Sequence, residues 1–194
     1  MKYLSEKITD YIVKAGAVSE ESYAIYQYGF QIGLEMISCF LICFGISICL
    51  HMIPQFFVFT GIFMLLRTYA GGLHLNSYLG CFMCSIITQT IILLITTRYT
   101  IILPVAWAII WSSAVLILIN APVETKNREL DEDEKKYCKK ITTKILIGVI
   151  FFSSGCTVTN LDSIVSLIAL TVLLVLISQY IGIVKYYIEK EWRE

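Results

Sequence analysis

Charge is what this sequence has least of. Asp, Glu, Lys and Arg make up 15% of its 194 residues and hydrophobic residues 57%, with a mean hydropathy of +0.75, whereas soluble domains carry about 25% charged residues. A water-soluble core cannot absorb that composition. The apolar residues also come in runs of roughly the length that crosses about 30 Å of hydrocarbon, so lipid is the solvent for most of the chain. A cleavable signal peptide is missing as well. Residues 1–14 mix charged and apolar side chains without a continuous apolar stretch, so the first span must itself direct insertion. There is no internal repeat, low-complexity tract, glycine-rich phosphate loop or nucleic-acid motif. The seven cysteines sit mostly inside apolar runs, where they pack as small hydrophobes and do not form a disulfide framework.

The formal net charge is zero, but its placement is informative. Lys2, Lys7 and Lys14 precede the first apolar run, Arg67 follows the second, a basic cluster at residues 126–140 follows the fourth, and Lys185, Lys190 and Arg193 follow the last. Arg98 alone falls on the other side. The positive-inside bias then gives six spans with both termini in the cytosol. The expected fold is all-α: a polytopic membrane protein of about six transmembrane helices, forming a single membrane-embedded domain over 1–194. Residues 1–28 read as an amphipathic helix or helical hairpin on the membrane surface, with Ile8, Tyr11, Ile12 and Ala15 at helical spacing and Ser19-Glu20-Glu21-Ser22 as a restart signal. The spans fall at about residues 29–50, 55–66 with extension through Tyr69, 78–97, 101–119, 141–156 and 161–184, before a tail at 185–194. Pro54 and Pro104 sit in the first turns of their helices, where a missing N–H is tolerated. The polar segment 120–140 joins spans four and five, with Asp131/Lys135 and Glu132/Lys136 at a spacing that supports a helix.

Four ionisable side chains lie within or beside the spans, Glu35, Arg67, His74 and Cys81, and such groups are costly enough in lipid to warrant a functional hypothesis. A cysteine peptidase needs a thiolate nucleophile and an imidazole that takes the thiol proton and later protonates the leaving amine. On one straight helix, the step from His74 to Cys81 turns through about 700° and leaves the two about 10.5 Å apart along the axis, beyond hydrogen-bond reach. The backbone must therefore bend between them. Residues 67–77 offer that bend: Gly71-Gly72, then Asn76 or Ser77 as an N-cap, with His74 in the loop and Cys81 one turn inside span three. There the helix dipole and a neighbouring imidazolium stabilise a thiolate. Cys84 is a weaker candidate, about 4.5 Å deeper and about 60° round the helix. His74, Cys81 and Cys84 lack the fourth ligand and the spacing of a zinc motif, so neither metal nor cofactor is expected. On spacing alone, ordinary packing explains the cysteine and ordinary polarity the histidine.

The string Arg67-Thr68-Tyr69-Ala70-Gly71-Gly72-Leu73-His74, with Cys81 seven residues on, resembles the signature of the accessory gene regulator protein B (AgrB) family of quorum-sensing peptide processors. Asn120-Ala121-Pro122-Val123-Glu124, with Asn127 and Arg128, is similar to a second motif of that family. Length, six-span layout and amphipathic start extend the resemblance over essentially the whole chain. Leu73 stands where an aromatic residue often precedes the histidine, a departure that touches packing and not the dyad.

The resemblance implies a cysteine endopeptidase of the Gram-positive cell membrane that removes the C-terminal tail of a small, AgrD-like propeptide at the cytosolic face. His74 would be general base and acid and Cys81 the nucleophile. The acyl-enzyme thioester would then be attacked by a cysteine or serine of the substrate itself, closing a thiolactone or lactone. The resemblance also implies a homodimer; membrane lipids are the other expected partner, and nucleic acid is not one. Supporting roles stay open. Arg67 holds a substrate carboxylate or anchors the loop at the headgroups; Glu35, one turn after Gln31, pairs with Arg67, orients His74 or packs helices. Gly71 and Gly72 aim N–H groups at the acyl oxygen or simply bend the chain, while Asn76 and Ser77 cap. Lys135, Lys136, Lys139 and Lys140 contact anionic headgroups or an acidic substrate tail. Two other classes, a non-enzymatic peptide exporter and a scaffold acting through residues 123–140, account for the same spans.

Overall fold

The computed structural model describes residues 2–72, 78–123 and 131–191. Each apolar run becomes a helix long and apolar enough to cross a bilayer: α2 (Tyr23–Cys49), α3 (Ile53–Ala70), α4 (Tyr78–Arg98), α5 (Leu103–Asn120), α6 (Glu132–Val158) and α7 (Asp162–Glu191), preceded by α1 (Lys2–Lys14). The shortest, α3 and α5, have 18 residues, about 27 Å at 1.5 Å per residue. The all-α, six-span expectation holds, and the chain is a multi-pass membrane protein. Pro54 and Pro104 stand in the first turns of α3 and α5 as expected.

Several helices outrun the apolar runs that announced them. α3 continues to Ala70, α6 starts at Glu132, and α7 runs to Glu191, because polar residues extend a helix beyond the hydrocarbon at no desolvation cost. The start of α6 is set by a capping box in which Asp131 caps and Glu134 reaches back to the Asp131 N–H at 3.4 Å. The charge pairs of this turn sit one residue closer than the sequence suggested, Lys135 with Glu132 at 3.2 Å and Lys136 with Asp133 at 3.9 Å.

α1 folds back on the start of α2 as a hairpin. Tyr23 donates to Asp10 at 2.8 Å and Gln27 to Glu6 at 3.2 Å, so the pairing runs antiparallel. The small residues Ser5 and Thr9 are the ones buried, with Ile8 and Ile12 half-buried beside them, while Tyr11 and Ala15 are exposed. Close approach of the two helices favours small side chains at the contact.

α7 is the axis of the bundle and packs against α3, α4, α5 and α6. Half of its apolar window is buried, against 17–28% in the other spans. Its most extensive partner is α5. Ala106, Ile110, Ala114 and Ile117 recur every three or four residues along α5 and join Val165, Ile168, Ala169, Val172 and Val175 of α7 in one buried cluster. In lipid no water-expulsion term drives such contacts, so the alanines matter by letting the backbones approach. α2 lies at the periphery, zipped to α3 by Phe40, Phe44 and Phe56 with ring centroids 5.2–6.3 Å apart.

The two ends of the bundle are closed differently. At the end away from the termini, α2 and α6 stop in the same way. His51 and Asn160 adopt φ of 56° and 55°. Their N–H groups bond Ile48 and Thr157, and the next N–H groups bond Ser47 and Cys156, the paired pattern of a Schellman cap. The turn between α4 and α5 is fastened to α7 instead: buried Ser166 accepts from the Ile101 N–H at 3.0 Å and donates to carbonyl oxygens of Ile101 and Asp162.

Candidate functional site at the terminal end of the bundle

α3 stops at Ala70 because Gly71 and Gly72 take φ of +79° and +146°, conformations closed to most side chains. α4 begins at Tyr78, and Cys81 is its fourth residue, exposed in the first turn. The break that the structure describes is at Gly71-Gly72, upstream of position 74, and the bend expected between residues 74 and 81 falls on residues outside the described ones. The placement of His74 and the capping roles of Asn76 and Ser77 lie outside the described residues, as do Glu124, Asn127 and Arg128 of the second motif.

The glycine turn is gripped from two sides. The carbonyl of Ala70, one of the acceptors a helix C-terminus leaves without an intrahelical donor, receives the Val123 N–H at 3.0 Å and the Gln179 side-chain amide at 2.9 Å. Contact with residues 121–123 is so close that a Cβ on Gly71 would lie 2.7 Å from the Val123 carbonyl oxygen. Glycine at 71 is thus a close-approach requirement as well as a bend. Gln179 was not singled out from the sequence. Its signal was an amide inside the apolar run of α7, which weighing only ionisable groups passes over.

Gly72 makes room for a different neighbour. A Cβ there would meet Arg67 Nη1 and Ser178 Oγ, each at 2.8 Å, so the guanidinium folds against the turn it precedes by one helical turn. Arg67 also lies within electrostatic reach of the Cys81 thiol. The Cys81 carbonyl accepts from Ser85 Oγ at 2.9 Å, while the Cys84 thiol contacts Thr88 Oγ1 at 3.9 Å, deeper along α4. On the opposing helix, Cys39 is within electrostatic reach of Cys81. Glu35 lies one turn nearer the terminal end on the same face of α2, buried and accepting from Gln31 at 3.0 Å.

The predicted lysines stand apart from this group. Lys135, Lys136 and Lys139 line an open cavity of about 550 Å³ with Tyr186, Tyr187, Glu132 and residues 119–123. Lys140 is exposed outside it. The cavity and the glycine turn share one wall, since Val123 lines the first and packs on the second. Among the described residues no cluster of three His, Cys, Asp or Glu is placed to hold a metal ion.

The family model described as accessory gene regulator B matches residues 5–179, most of the chain. The chain belongs to the accessory gene regulator B family. Its relatives include an AgrB-like protein of Listeria innocua, 26% identical over 155 residues that cover 77% of this chain and 74% of the relative. Another AgrB-like protein, of Clostridium beijerinckii, is 33% identical over 100 residues, 51% of this chain and 50% of the relative. No solved structure matches. Membership of the AgrB family points to a role in processing a quorum-sensing autoinducer peptide. Within this AgrB-family fold, the two stretches read from the sequence as family motifs meet in space, Ala70 and Gly71 against Val123.

Proposed function

We propose that this protein is a membrane-embedded cysteine endopeptidase that trims the C-terminal tail of a quorum-sensing propeptide at the cytosolic face and closes the remaining segment into a ring. The observation that carries the reading is the break of the helical path at Gly71-Gly72, just ahead of Cys81 in the chain. Cys81 stands in the first turn of α4, with the cation Arg67 in electrostatic reach and a glycine turn leading in sequence to His74. Partial burial opposes a thiolate there, and a helix N-terminus and a nearby cation both favour one.

In the reaction, His74 takes the Cys81 proton and the thiolate attacks the scissile carbonyl carbon. The C–N bond then breaks as the imidazolium protonates the leaving amine, releasing the tail and leaving an acyl thioester on Cys81. A thiol or hydroxyl of the substrate attacks that thioester, the Cys81 thiolate departs and takes up a proton, and a thiolactone or lactone results. Water must be kept out until the ring closes, which a site at the edge of the lipid favours. Exchange of one thioester for another is nearly neutral, whereas forming the first from an amide is uphill. Removal of the tail or export of the ring therefore draws the sequence forward. Buried Glu35 is the candidate third residue, orienting the imidazole as a carboxylate does in triads.

The test is co-expression with the small propeptide encoded beside this protein, followed by mass measurement of the fragments. Wild type releases the tail, and Cys81→Ala and His74→Ala, present in the membrane at normal level, do not. Normal cleavage by both variants would falsify the dyad. Peptide signalling that survives Cys81→Ala unchanged would point to an exporter.

A further inference from the structure

We infer that Gln179 is a positioning residue for this site, acting through the Ala70 carbonyl on the glycine turn that leads to His74; the inference rests on the peptidase reading above. Gln179 is fully buried in α7, 109 positions from Ala70 in the chain, and its Nε2 donates to the Ala70 oxygen at 2.9 Å. Its Oε1 is buried without a hydrogen-bond partner among the described residues. A buried amide satisfied at only one end is a net cost to the bundle relative to a leucine of similar size, so packing does not account for it. What it does is fix the one backbone acceptor at which α3, α7 and residues 121–123 converge. The neighbouring Ser178 reinforces this, because its hydroxyl stands 2.8 Å from where a Cβ on Gly72 would lie. α7 therefore presents adjacent polar residues to the turn. Among the described residues Gln179 donates to the Ala70 carbonyl and Ser178 to that of Val175; the effect reaches the chemistry through the backbone of residues 70–72.

Two variants and an activity-independent readout test this. Gln179→Leu keeps the volume and removes the donor. It is expected to lower kcat for tail release by at least about 10-fold while KM stays within about twofold, since substrate contacts are unchanged. Gln179→Glu places a carboxyl at the same reach. When ionised it repels the Ala70 oxygen; when protonated its O–H donates to it. Burial favours the neutral acid, so this variant is expected to be slow at pH 8 and to approach wild type as the pH falls to about 6, a profile that neither wild type nor Gln179→Leu shows. Hydrogen exchange on wild-type and Gln179→Leu protein in nanodiscs reads the turn directly. Exchange at the Val123 amide should rise about 10-fold once the shared acceptor is loosened. Unchanged exchange overturns the clamp. Raised exchange with unchanged kcat, or a Gln179→Glu pH profile like that of wild type, overturns the positioning role. If wild type releases no tail at all, the peptidase reading fails, while exchange still decides whether the clamp exists.

Discussion

The two ends of the bundle solve the same problem, satisfying the carbonyls where helices stop, in opposite ways. At the end away from the termini, α2 and α6 are capped by backbone groups within five positions along the chain, with His51 and Asn160 absorbing the left-handed turn. At the terminal end, the last carbonyl of α3 depends on Val123 and Gln179, and its turn is made by glycines with no room for a side chain. Local caps form as soon as their helix does. The terminal end has its shape only when α3, α5 and α7 are assembled, and that is where the ionisable residues gather. One end is built to persist and the other to be placed.

Substitutions can break or sharpen that contrast. The largest effect is expected from Gly71→Ala, where a Cβ meets backbone at 2.7 Å and φ is +79°. Strain of about 1–3 kcal/mol plus displacement of residues 121–123 should reduce tail release by roughly 30-fold or more, at normal membrane levels. Wild-type turnover by this variant would show that the turn does not position the site. Gly72→Ala shares the backbone strain, at φ +146°, but should cost less, about 5- to 10-fold in turnover, because the atoms in its way are the tips of Arg67 and Ser178, which can move. If Gly72→Ala proved the more damaging of the two, the Arg67 contact and not the 121–123 contact would govern the loop. Ser166→Ala, at the other end, leaves the half-buried Ile101 N–H without its acceptor. It should destabilise by about 1–3 kcal/mol, read as a lower Tm in detergent, with turnover per folded molecule unchanged. The smallest effect belongs to His51→Gly: relieving a left-handed non-glycine residue should raise stability by up to about 1 kcal/mol without altering cleavage. A loss of activity in either far-end variant at equal folded protein would erase the distinction between the ends.

The spans were legible because long apolar runs have few alternatives in lipid, and the break at Gly71-Gly72 because paired glycines interrupt such a run. What could not be read was pairing at a distance. Nothing in Val123 announces that it lies on Ala70, and Gln179 reads as one polar residue in an apolar helix until its partner is known. Asp131 and Glu134 carried a capping-box spacing, but the charges around them suggested ion pairs, and the cap went unread. The cap at His51 carried no signal either, since left-handed C-cap positions usually belong to glycine or asparagine. The His74–Cys81 spacing demanded a bend between the two, a stretch that lies outside the described residues, while the described break stands just upstream at Gly71-Gly72.

The central place of α7 has a consequence for biogenesis. It follows the other five spans in the chain, yet four of those spans pack on it. During synthesis the earlier helices must therefore wait in the bilayer without their common partner, and a nascent chain stalled before α7 holds Cys81 and Arg67 but lacks Gln179. Translation to the last helix would then be the event that arms the protein, so that abandoned fragments left in the membrane stay inert.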